Sequence, residues 1–213
     1  GHIDRTAMGL NALEACKRQN VGFVLMLSVC SADRKGRIFA DQFKPLEEAT
    51  AASGLPFCVV RMPMFLENLG AQAQSVANAS SIYTPIDASK KYNSASVGDL
   101  GEAAAKILLA PAEHHGKTYN LVGSLTDESA TAAGVSKATG KTVQHVQVPY
   151  AAAKEAFMGM GFPEWQTDGV IELMEDINNG EEWTTLSDAD TKAVLGRDPT
   201  PVEGVAAYLF GGK

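Results

Sequence analysis

Several stretches of this 213-residue chain carry residue types whose spacing invites a chemical reading. The run Gly134-Val-Ser-Lys-Ala-Thr-Gly140-Lys-Thr142 approaches a phosphate-cradling loop, in which amides between two glycines converge on phosphate oxygens. Five residues separate its glycines where four are needed. It also joins a helix to a strand, the reverse of the strand–loop–helix order that aims amides at an anion. The residues read instead as a helix end and a turn. His114-His115 closes a helical stretch before Gly116, where solvated side chains are the expectation rather than metal ligands. Asp33, Asp41, Glu47 and Glu48 bring carboxylates close together in sequence, a set that reads as solvated helix faces. No metal site is expected.

The stretch around which the chain is organised is Pro56-Phe-Cys-Val-Val-Arg-Met-Pro-Met-Phe-Leu-Glu-Asn68. It opens as a short apolar, β-branched run of the kind buried in a parallel sheet. Pro63 then ends ladder pairing, because it has no N–H to donate. Met64 to Asn68 therefore sit just past the carboxyl end of a strand, where open α/β sheets bind their ligands.

The surrounding elements supply that sheet. Residues 4–19 read as a helix with Met8, Leu10, Leu13 and Cys16 near one face. Val21-Gly-Phe-Val-Leu-Met-Leu27 is continuously apolar, which predicts a strand buried on both faces. A helix over 40–53 closing near Gly54, then a strand over 56–61, completes α-β-α-β and predicts parallel pairing. Further on, 69–80 has helical composition, 81–86 and 92–97 read as short strands around a polar turn, and Asp99 is expected to cap a helix. A strand over 117–123, a helix over 127–139 ending at Gly140 and an alternating strand over 142–148 follow. Helices are expected near 150–159, 163–178, 187–195 and 201–210. Trp165, Trp183, Phe157, Met158, Met160 and Phe162 there read as core packing, with a ligand groove as the second reading.

Composition narrows the function. A net charge of −7 argues against nucleic acid or an anionic membrane surface as partner. No run reaches the ~18 apolar residues of a membrane span. Cys16, Cys30 and Cys58 stand in apolar settings and read as reduced thiols of a cytoplasmic protein, so the sequon Asn78-Ala-Ser80 carries no meaning.

The order helix, Gly-Leu-Pro turn, strand, Arg-x-Pro-x-Phe-x-Glu-Asn resembles the NmrA-like branch of the atypical short-chain dehydrogenases. Val-x-Asp-Leu-Gly before Gly-Lys-Thr-Tyr-Asn-Leu-x-Gly, at 97–123, and Ala-Thr-Gly-Lys-x-Val to Val-Pro, at 138–149, extend the resemblance over nearly the whole chain. It implies an α/β fold: a Rossmann-type parallel sheet over 1–123 and a smaller, mainly helical part over 124–213, in one domain. It also implies NADP(H) or NAD(H) as cofactor, approached by Ser28, Val29, Met62, Pro63, Phe65 and Asn68, with Cys30 and Ser31 in the same loop. The family's Gly-x-x-Gly-x-x-Gly turn occurs nowhere in the sequence, and by resemblance about half of the nucleotide-binding sheet is not represented. Gly1-His2 reads as a tag remnant. Binding of the cofactor by this chain is therefore expected to be weak or absent.

In the family's reductases a lysine or histidine acts as the proton-bearing group eleven residues before the glycine that closes the helix. Counting back from Gly54 puts Phe43 there, with Glu47 on the family's glutamate. A one-residue gap at Pro45 puts Lys44 there instead, and Lys44 is this chain's candidate catalytic residue. Phe43 can neither carry a proton nor polarise a carbonyl, which favours a regulator or sensor without turnover. The alternative is an NADP(H)-dependent reductase of quinone-like carbonyl compounds. The apolar strand at 21–28, lacking its family neighbour, is expected to be covered by self-association or by a protein partner.

Overall fold

A computed structural model of the chain describes residues 2–211, so Gly1 of the tag-like pair lies outside the described residues. The elements run α1 (Arg5–Arg18), β1 (Val24–Val29), α2 (Ile38–Ala51), β2 (Phe57–Met62), β3 (Met64–Phe65), α3 (Ala73–Ala79), β4 (Ser81–Thr84), β5 (Tyr92–Ala95), α4 (Val97–Leu109), α5 (Pro111–His114) and β6 (Lys117–Asn120). They continue as β7 (Leu125–Thr126), α6 (Glu128–Thr139), β8 (Gln144–Gln147), α7 (Tyr150–Gly159), α8 (Glu164–Asn179), α9 (Ala189–Leu195) and α10 (Val202–Phe210). 3-10 segments occupy Cys30–Asp33, Leu66–Gln72 and Glu182–Thr185. The class is α/β, as the alternation of helices and strands predicts.

The main sheet has the order β1-β2-β6, all parallel, with Leu25 opposite Cys58 and Cys58 opposite Lys117. Its two faces follow from the strand alternation. One buries Cys58 and Val60 against Ala103 and Ile107 of α4 and Leu195 of α9. On the other, Ser28 and Arg61 meet α2. α1 packs across α2 so closely that a Cβ at Gly9 would lie 2.7 Å from a Leu46 methyl and push that side chain aside.

Pro63 does what its missing N–H dictates. The chain leaves β2 and, one residue later, pairs elsewhere: β3 runs parallel to β5, which in turn pairs antiparallel with β7. Gly123 lies where these strands meet the main sheet, and a Cβ there would come within 2.1 Å of the Ser94 carbonyl oxygen. The stretches at 81–86 and 92–97 do not pair with each other. β4 instead pairs parallel with β8, about sixty residues later in the chain. The part after residue 124 thus supplies two strands besides its helices.

Local signals at helix ends are mixed. Asp127 caps α6 by accepting the Ala130 amide at 2.7 Å, and Gly140 ends it in the left-handed region at φ 68°. The cap of α4 is Ser96, whose hydroxyl accepts the Gly98 amide, and not Asp99. Asp99 is buried in the first turn, where it accepts from Arg197 and from Thr200.

The expectation for the 21–27 run needs correction. The strand starts at Val24, and Leu27 is 46% exposed, so it is not buried on both faces. Among the described residues β1 is an edge strand, which removes the cover that the apolar run presupposes. Val24 donates its amide to Pro56, so the backbone amides of Met26 and Ser28 also face β2 while those of Leu25 and Leu27 face the open edge. We propose that a second copy covers this edge. Sedimentation is then expected to depend on protein concentration, with amide exchange at Leu25 and Leu27 slowing as concentration rises. A monomer at all concentrations, with fast exchange at both amides, contradicts the expectation.

Candidate functional site

At the carboxyl ends of β1 and β2 a buried carboxylate gathers the main chain elements. Glu47 of α2 accepts from Ser28 at 2.6 Å and twice from Arg61, at 2.8 and 2.6 Å. Arg61 extends to Asp33 at 2.6 Å, and Lys44 meets Asp33 from the other side at 2.6 Å. Hydrogen bonds from Arg61 and then Lys44 hold the Asp33 carboxyl below its ordinary value. The bond to Asp33 raises Lys44 above the usual lysine range, so its proton is held and not readily given. Burial pushes the Cys30 thiol up to about 12, which removes it as a nucleophile at neutral pH.

α2 is continuous through Pro45. It therefore fixes the orientation of the two residues that the sequence leaves in competition. Phe43 turns toward α1, where the Arg5 guanidinium lies 4.5 Å from its ring centroid. Lys44, about 100° round the helix, turns to Asp33. It lines a cavity of about 480 Å³ together with Lys35, Asp41 and Glu48.

A second cavity, of about 440 Å³, begins with the residues immediately after Pro63. Its lining includes Phe65, Asn68, Ile82, Phe157, Met160, Phe162 and Met174. Of the residues expected at a cofactor, Phe65 and Asn68 line it. Ser28 is fully buried and spent on Glu47, Pro63 is buried, and Met62 packs against the core under α4. Val29 ends β1, opposite Met62. Neither Phe43 nor Lys44 belongs to this lining. The aromatic set of the later helices divides. Phe157, Met160 and Phe162 line the cavity, Trp165 packs edge-on against Phe39, and Trp183 donates its indole N–H to Asp176.

The polar floor of this cavity escapes a sequence reading. Glu128, at the start of α6, is 3% exposed and accepts from the Tyr92 hydroxyl at 3.0 Å. Thr84 and Thr131 line the same region. Burial raises the Glu128 carboxyl above its ordinary value, outweighing the hydrogen bonds from Tyr92 and Thr84 that favour the anion. Burial likewise raises Tyr92 well above the usual phenol range. In sequence Glu128 is one more acid in a helix first turn, and only the tertiary packing distinguishes it.

The residues present do not suit the pyrophosphate end of a dinucleotide. β1 runs into the turn Cys30–Asp33 and not into a glycine-rich helix start. The first amide of α2, at Ile38, already donates to Glu172 of α8 at 2.7 Å, so a carboxylate occupies the position an anion would take.

Two outcomes follow. Replacing Glu47 leaves Ser28 and part of Arg61 without an acceptor inside the protein, so Glu47→Ala is expected to cost about 3 kcal/mol or more and to lower the melting temperature by about 6–12 °C. A shift under 2 °C, in calorimetry, contradicts this. For Glu128 the folded protein favours the protonated acid. Its stabilising share is full below the ordinary carboxyl value and is lost as pH rises through the raised one. Glu128→Gln, which cannot ionise, should therefore gain melting temperature relative to the unmodified chain as pH is raised from acid to neutral. A constant difference across that range rules the assignment out.

Residues 31–203 match the model of the NmrA-like family. Quinone oxidoreductase 2 of Escherichia coli strain K12 is 28% identical over 204 residues, covering 94% of this chain and 69% of that protein. The crystal structure of the NADPH-dependent quinone oxidoreductase from Escherichia coli complexed with NADPH superposes with a TM-score of 0.81 at 25% identity, over 97% of this chain and 72% of that one. NmrA, a negative transcriptional regulator solved in complex with NADP, gives a TM-score of 0.75 at 14% identity over 97% of this chain and 70% of that one, which shows the shared fold. The Rossmann-like sheet, the diversion at Pro63 and the family match agree, and the chain belongs to the NmrA-like family.

Proposed function

We propose that this chain forms the substrate side of an NAD(P)H-dependent reductase of quinone-like carbonyl compounds. The observation that carries the reading is the apolar cavity of about 440 Å³ that opens directly past the carboxyl end of β2. Its volume suits a fused two-ring compound. Phe65 and Phe157 offer ring faces, and Thr84, Tyr92 and Glu128 offer polar contacts at one end. The relationship to Quinone oxidoreductase 2 supports the same ligand class. Hydride chemistry calls for the nicotinamide cofactor, and these residues do not cradle its pyrophosphate, so this chain by itself binds NADP(H) or NAD(H) weakly. Lys44 serves here as a fixed cation that orders the Asp33 turn.

The second reading, a ligand-responsive regulator without turnover, is favoured by a different observation. Lys44, the residue with a candidate catalytic role, is bound to Asp33 and lies outside the cavity. A second copy on the β1 edge, or another protein, is the partner under either reading. A cytoplasmic setting suits the three free thiols. No helix among the described residues is long and apolar enough to cross a membrane.

The test follows menadione binding and NADPH oxidation in parallel. Menadione should bind, and Met174→Trp, which fills the cavity, should abolish binding. Failure of menadione to bind overturns the reductase reading, and binding with a rate equal to the protein-free blank favours the regulator. NADPH should bind about a hundredfold or more weaker than to a site with a pyrophosphate cradle, since two charge-assisted hydrogen bonds are worth roughly 3–6 kcal/mol together. Low-micromolar affinity in calorimetry contradicts that expectation.

A further inference from the structure

We propose that Glu128 is the polar anchor of the cavity: its carboxyl group, held by Tyr92, hydrogen-bonds a carbonyl oxygen of the bound ring compound. The inference deepens the quinone reading and rests on it.

Three observations place the anchor. Glu128 lines the cavity while only 3% exposed, so its carboxyl faces an apolar chamber and not bulk water. The Tyr92 hydroxyl donates to its Oε1 at 3.0 Å, which fixes one side of the group. Thr84 lines the same region and is itself fixed, its Oγ1 lying 2.9 Å from His145 Nε2. The charged groups nearby do not neutralise a carboxylate. On the same helix Asp127 is paired with Lys91, and no lysine or arginine among the described residues forms an ion pair with Glu128. His145 on β8 is engaged with Thr84 instead.

An unpaired carboxylate in such a place is costly, and the neutral acid is the form that burial favours. A neutral carboxylic acid carries one O–H donor and a quinone carries only acceptors. With Tyr92 donating to Oε1, the O–H of the neutral acid is left for a carbonyl oxygen in the cavity. Phe65 and Phe157 contact the rings and supply affinity without orientation; Glu128 sets which end of the ligand points inward. This selects a ring compound with a carbonyl at its edge over a hydrocarbon of the same shape.

The test compares menadione with 2-methylnaphthalene, using chemical-shift titration of the whole chain without cofactor. Glu128→Met should weaken menadione about tenfold and leave 2-methylnaphthalene within about twofold, the loss of one buried hydrogen bond. Glu128→Gln, which retains an N–H donor, should keep most of the menadione affinity. In the unmodified protein the carbonyl stretch of bound menadione should lie below its value in hexane, a readout that needs no variant to fold. Equal losses for the two ligands in Glu128→Met, or an unshifted carbonyl stretch, overturn the anchor while leaving the cavity a ligand site. If neither compound binds the unmodified chain, the anchor and the quinone reading fall together.

Discussion

The Glu47 carboxylate is the constraint on which the rest of the site depends. It is buried under α2, yet it has three short hydrogen bonds from two different strands. A charge in that position is tolerable only when every lone pair finds a donor. Ser28 and Arg61 sit opposite each other in the β1–β2 register, so one carboxylate can reach both. The arrangement fixes where β2 ends, and with it where Pro63 releases the chain. Arg61 then carries the constraint outward to Asp33 and the turn after β1.

That release separates two environments within a few residues. On the α2 side, charge is concentrated and paired: Asp33, Lys44, Glu47 and Arg61 neutralise one another. On the far side of Pro63 the chain enters a second sheet, and the chamber between it and α7–α8 is lined by Phe, Met and Ile with polar groups that include Glu67 and Glu128. The paired cluster stiffens the frame while the chamber stays available for a ligand. Asp176 fastens the two regions from the opposite side. It accepts from Arg37 at 2.7 Å and from the Trp183 indole at 2.9 Å, which ties the loop after β1 to α8.

How much of this the sequence disclosed depends on the range of each signal. Gly140 is legible because a glycine past a helix end acts within one turn, and Pro63 because a missing donor acts on its own residue. The apolar run at 21–27 misled because periodicity reports what a strand is suited to touch, not which neighbours the chain supplies. Asp99 misled for a related reason: a buried bond to Thr200, about a hundred residues away, occupies it, and Ser96 takes the cap. The β4–β8 pairing and the Glu128–Tyr92 contact are likewise long-range, and no local pattern announces them.

The choice between Phe43 and Lys44 shows what a register argument can and cannot decide. Counting residues assigns an equivalence along the chain, whereas chemistry depends on which way a side chain turns. α2 turns Phe43 under Arg5 and Lys44 onto Asp33, so neither outcome of the count puts a proton donor in the cavity. A lysine whose proton is held by a carboxylate is a weak acid, and a cation beside a paired cluster stabilises the fold without meeting a ligand. The group with the properties of a buried acid is Glu128, whose carboxyl burial raises above its ordinary value and which borders the apolar chamber directly. The position that resemblance marks for chemistry and the position that physics prepares for a ligand are therefore different residues in this chain, on opposite sides of Pro63.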